Sequence, residues 1–88
     1  MFEMIIDGVY CISGRGIVVT GHPNRESIRV GESVEIWNPD GSALDTVITG
    51  VEMVSPRRPN DNIGLLLRTT ETLKTKDNIH PGAVMRRK

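Results

Sequence analysis

Polar and apolar residues alternate in short runs along this chain, and no stretch sustains the spacing of an amphipathic helix. Residues 2–12 are apolar-rich and read as an extended segment ending at Ser13-Gly14-Arg15-Gly16. Gly14 and Gly16 bracket Arg15, so the backbone can turn tightly and take positive φ where a Cβ would clash. Ile17, Val18, Val19 and Thr20 then form a stiff β-branched run suited to a pleated surface. This second strand, over 16–21, breaks near His22-Pro23-Asn24, where proline removes a ladder donor and asparagine favours a turn.

Ser27-Ile28-Arg29-Val30 reads as a brief extended piece, and Ser33-Val34-Glu35-Ile36-Trp37 alternates as a half-buried strand should. Asn38-Pro39-Asp40-Gly41 is a strong turn signal. Residues 44–54 form a long strand in which Val47, Val51 and Met53 share parity. The loop 55–61 follows, its two prolines excluding helix and central strand. From Asn62 to Arg68 the chain is most apolar. The consecutive Leu65, Leu66 and Leu67 imply burial on both faces, or an outer face covered by a partner. Thr72 to Asn78 is polar with room for a helical turn, and His80-Pro81-Gly82 leads into a last strand at 83–87. The basic finish, Arg86-Arg87-Lys88, reads as a solvated tail. Six strands with turns every 8–12 residues predict an all-β fold, a closed antiparallel barrel in one domain over 1–88, because closure removes exposed edges.

Composition narrows the class. Eighty-eight residues suit one small domain with a thin core, since a chain of this size buries only roughly 60–65% of its unfolded surface. At 38% hydrophobic and 25% charged it is too apolar for disorder. Eleven basic residues balance eleven acidic ones, which argues against a bulk electrostatic grip on nucleic acid. Cys11 is the single cysteine, so an internal disulfide is excluded and a reducing cytoplasm is the expected setting. Its position within a strand predicts a small buried apolar residue. The opening residues lack the basic leader and long apolar core of a signal peptide. No apolar run approaches the roughly 20 residues needed to span a membrane as a helix.

Several blocks, in order, resemble the second domain of elongation factor Tu and its archaeal and eukaryotic relatives. They are Asp7 to Tyr10, Ile12 to Gly21, Val30 to Ile36, Val47 to Met53, and Asn62-Ile63-Gly64-Leu65-Leu66-Leu67-Arg68; His80 to Met85 is similar to the family's last strand. The resemblance implies a six-stranded barrel of the translation-protein type. It also implies a surface pocket for the aminoacyl ester and terminal adenosine of charged transfer RNA. Carried over by position, the aromatic residue beside that pocket falls on Tyr10. The glutamate that meets the terminal ribose hydroxyl falls on Glu52, and the asparagine near the amino-acid moiety on Asn62. The family's adjacent acidic pair becomes Asp7-Gly8, with one carboxylate lost. Where the family has an aromatic and a basic residue after Glu52-Met53, this chain has Val54 and Ser55, leaving Arg57 or Arg58 as candidate replacements for the missing cation.

These residue types suit the chemistry: an aromatic face stacks on a base, a carboxylate accepts from a 2′-hydroxyl, and an amide both donates and accepts. Each also has a plainer role. Tyr10 suits a barrel rim, Glu52 a solvated outward carboxylate, Asn62 a turn cap, and Arg15 a solvated hairpin charge within reach of phosphate. His22 and His80 each precede proline and show no metal-ligand spacing. No phosphate-binding Gly-x-x-x-x-Gly-Lys loop, dinucleotide fingerprint or nucleophile-base constellation is present in the sequence. The expectation is a free-standing, non-enzymatic binding module without cofactor or metal. Its expected partner is the acceptor end of transfer RNA, bound weakly, or a translation factor, a ribosomal surface or a second copy.

Overall fold

The computed structural model describes residues 2–12, 14, 16–23, 28–53 and 63–88, and of Pro23, Glu52 and Met53 the backbone alone. They form β1 (Glu3–Ile12), β2 (Gly16–Pro23), β3 (Ser33–Trp37), β4 (Ala43–Met53), β5 (Ile63–Leu67) and β6 (Val84–Arg87), with a 3-10 turn at Lys76–Asn78. All pairings are antiparallel. They run β1-β2-β5-β4-β3-β6 and return to β1, so the expected all-β architecture takes the form of a ring.

Alternation builds the core. Met4 and Ile6 of β1, Val34 and Ile36 of β3, Leu65 and Leu67 of β5, and Met85 of β6 point inward, with Phe2, Val19 and Ile48 fully buried among them. Leu73 and Ile79, from the connection between β5 and β6, complete the cluster. The glycine turn behaves as its sequence requires: Gly14 and Gly16 take φ of 78° and 115°. Deeper in β2, Gly21 is buried against β1, and a Cβ there would strike the Ile5 carbonyl oxygen.

Five expectations change. The described part of the 27–30 piece, Ile28 to Val30, is not a strand, because Ile28 instead packs against the core from a connecting segment. Val47 does not share a face with Val51 and Met53. Thr49 is an extra residue between Ile48, opposite Leu67, and Gly50, opposite Leu66, and this bulge inverts the alternation so that Ile48 is the buried one. The leucine run splits: Leu65 and Leu67 are core, while Leu66 lies half-buried on the outer face between Val18 and Gly50. Cys11 is exposed, not buried. The physical reason is that of β1 only Glu3, Met4 and Ile5 pair with β6, so the far half of β1 projects with β2 as its one neighbouring strand among the described residues. Finally, the basic finish is structural. Arg86 and Arg87 belong to β6, and ion pairs join Arg86 to Glu3 (3.0 Å), Arg87 to Glu32 (3.2 Å) and Lys88 to Asp45 (3.0 Å).

Two polar devices tie the connections to the ring. Buried Asn38 donates from Nδ2 to the Ser42 hydroxyl (3.1 Å) and the Asn78 carbonyl (2.9 Å), and its Oδ1 accepts from the His80 N–H (2.9 Å). On β4, the Thr46 hydroxyl donates to the Arg68 carbonyl (2.6 Å) and Thr70 to the Asp45 carbonyl (2.9 Å). The Asp45 N–H donates in turn to Thr72 Oγ1 (3.2 Å). Beyond Leu67, Thr70 and Thr72 occupy backbone groups of β4 that β5 no longer reaches.

Candidate functional site

Strand register decides which of the carried-over residues share a face. Ile6 pairs with Gly21 and Gly8 with Thr20, so Asp7 is the extra residue of a bulge. Beyond it the parity of β1 is inverted, and Gly8, Tyr10 and Ile12 share the outer face. Gly8 then heads one transverse row, Gly8–Thr20–Gly64–Glu52, across β1, β2, β5 and β4. The adjoining row is Tyr10–Val18–Leu66–Gly50. Asp7, Tyr10 and Glu52 are therefore brought to a single sheet face. Arg15 and Asn62, with Arg57 and Arg58, lie outside the described residues.

The β1 end of this face is defined in detail. Thr20 Oγ1 donates to Asp7 Oδ1 at 2.7 Å. The Tyr10 ring folds back over Gly8: a Cβ at that glycine would stand 2.8 Å from the Tyr10 hydroxyl and 2.7 Å from Thr20 Oγ1. An aromatic covering a strand glycine two residues away restores contacts that the glycine lacks. A carboxylate-bearing residue in place of Gly8 would displace the ring. Tyr10 keeps 55% of its surface exposed, which leaves it open to a stacking partner. At the β4 end of the row stands Glu52, paired with Gly64 and described in its backbone alone.

Three interstrand spacings separate Asp7 from Glu52, about 14 Å along the sheet. Carboxylates that attack and protonate one glycosidic bond stand roughly 5–9.5 Å apart. This spacing favours an extended ligand lying across the strands over two carboxylates converging on one reacting atom. Among the described residues, no group of three His, Cys, Asp or Glu side chains could hold a metal ion, and no helix is long and apolar enough to cross a membrane.

Two recesses lie elsewhere. A groove of about 370 Å³ runs beside the threonine cluster, lined by Ser33, Asp45, Val47, Thr70, Glu71 and Lys88 among others, and within it Lys88 pairs with Asp45 at 3.0 Å. A recess of about 290 Å³ is lined by Val9, Lys76, Asp77, Ile79, His80 and Pro81. Neither contains any residue that the sequence nominated. The sequence also nominated no role for Asn38 or Thr20. Asn38 opens a recognisable turn motif, but its partners are 40 and 42 residues away. Thr20 is marked only by its β propensity. No protein-family model matches the chain.

Proposed function

We propose that the chain is a non-catalytic binding module of the elongation factor Tu domain 2 type, whose outer β1-β2-β5-β4 face receives the aminoacyl acceptor end of transfer RNA. The observation that carries this reading is the register that brings Asp7, Tyr10 and Glu52 to one face with Gly8 and Gly64 in the row between. The order of the sequence blocks and the ring of six strands support it further. In this reading the exposed Tyr10 ring stacks on the terminal base, and Glu52 accepts from a ribose hydroxyl. Thr20 holds the Asp7 carboxylate in place at the opposite end. Gly64 places no side chain between Thr20 and Glu52 in the row.

Affinity is weak by construction. Most nucleic-acid affinity comes from neutralised phosphates, and this chain has zero formal net charge. The test is a low-salt titration of the chain against aminoacylated and deacylated acceptor-stem RNA. The aminoacylated form binds more tightly, and Tyr10→Ala weakens it by about tenfold, in line with loss of one stacked base. Glu52→Gln weakens it by about fivefold, the scale of one hydrogen bond to a charged acceptor. Equal affinity for the two RNAs, or indifference to both substitutions, rejects the reading.

A further inference from the structure

We infer that the outer face of β1, β6 and β3 docks an amphipathic helix of another protein, laid across the strands with basic side chains along one flank. The surface is independent of the β2-β5-β4 face discussed above. Ile5 pairs with Val84, and Val84 with Trp37, so these three form one transverse apolar row. Ile5 is 60% exposed and Trp37, the single tryptophan, 44%. Three large apolar side chains in line on an outer sheet face constitute a patch, whereas scattered ones need no explanation. Pro39 extends it on one side, lying against Gly82.

On the other side runs a charged row in the same register: Glu3, Arg86, Glu35 and Asp45. Arg86 is taken by Glu3, and Asp45 by Lys88. Glu35 is half-buried and has no hydrogen-bond or ion-pair partner among the described residues. The flank therefore carries one uncompensated negative charge directly beside Trp37. A cation from outside satisfies it.

The shape of the patch selects the occupant. Ile5 and Trp37 are two interstrand spacings apart, about 10 Å. Residues i and i+7 of an α-helix are also about 10 Å apart, with i+3 or i+4 falling between them over Val84. The row is one residue wide, far below the roughly 800 Å² per partner of a stable dimer. A second copy of this chain is thus the poorer occupant.

The test is selection of a random-peptide phage library on the full chain, followed by synthesis of the enriched peptides. Peptides with aliphatic or aromatic residues at i, i+3 or i+4, and i+7, and with Lys or Arg along one side, are expected. Their binding moves Trp37 emission to shorter wavelength. Ile5→Ser weakens binding by about tenfold and Glu35→Gln by about fivefold, while both variants keep the parent's circular dichroism and melting temperature. Absence of enrichment, enrichment of peptides without basic residues, or peptides that bind both variants as well as the parent would overturn the inference. So would sedimentation showing self-association that Ile5→Ser removes, since the occupant would then be a second copy.

Discussion

Two glycines in neighbouring strands show how a single hydrogen in place of a methyl has different consequences. At Gly21 the obstacle is the Ile5 backbone oxygen, which cannot retreat without parting β1 from β2. Gly21→Ala is expected to cost about 3 kcal/mol, the upper range for overpacking, seen as a lower urea midpoint at unchanged slope. At Gly8 the obstacles are the ends of the Thr20 and Tyr10 side chains, which can rotate. Gly8→Ala is expected to cost about 1 kcal/mol while turning the Tyr10 ring off the sheet, detectable as changed ring-proton shifts. Asp40 supplies a pH-dependent test. Its carboxylate accepts from the Ser42 hydroxyl (2.6 Å) and the Ser42 N–H (2.9 Å), and these bonds lower its pKa from the ordinary 3.8. A carboxyl depressed in the folded state contributes stability above its unfolded value and loses it as pH falls through the folded one. Followed by NMR, Asp40 should titrate below 3.8, and Ser42→Ala should bring the midpoint back up towards that value.

Among the elements, the turn between β3 and β4 is tied to the connection before β6 by the side chain of Asn38. Asn38→Ala leaves the Asn78 carbonyl and the His80 N–H without their partner. A loss of about 2 kcal/mol is expected, with faster amide exchange at His80 than at Leu65 as the local readout. Strand identity was largely legible in the sequence. Alternation in 33–37 and the β-branched run after Gly16 each correspond to an observed strand within a residue or two, while the loop 55–61 lies outside the described residues. Facing direction was less legible. The bulges at Asp7 and Thr49 invert parity, and an extra residue in a ladder leaves no mark in composition. The bulge at Asp7 bears on the candidate site too, because without it Tyr10 would point into the core. Roles that depend on distant partners, such as Asn38 or the pairing of Arg86 with Glu3, had no local signal at all.

At the scale of the molecule, β6 is the four-residue strand through which β1 and β3 are joined. Removing residues 84–88 withdraws Met85 from the core and unpairs strands on both sides. The shortened chain is expected to lose its cooperative thermal transition. Raising the salt concentration should do far less: the three ion pairs of this region are at least partly exposed, and each contributes about 1 kcal/mol or less. The same strand places the two chain ends side by side, since the Arg87 N–H donates to the Phe2 carbonyl at 3.4 Å. A short flexible bridge between those ends, with a new opening cut at the unencumbered Gly14 corner, should therefore yield a circular permutant that folds like the parent. By the same geometry, a host protein could carry the whole unit as an insertion in one of its surface loops, with entry and exit strands only one ladder spacing apart.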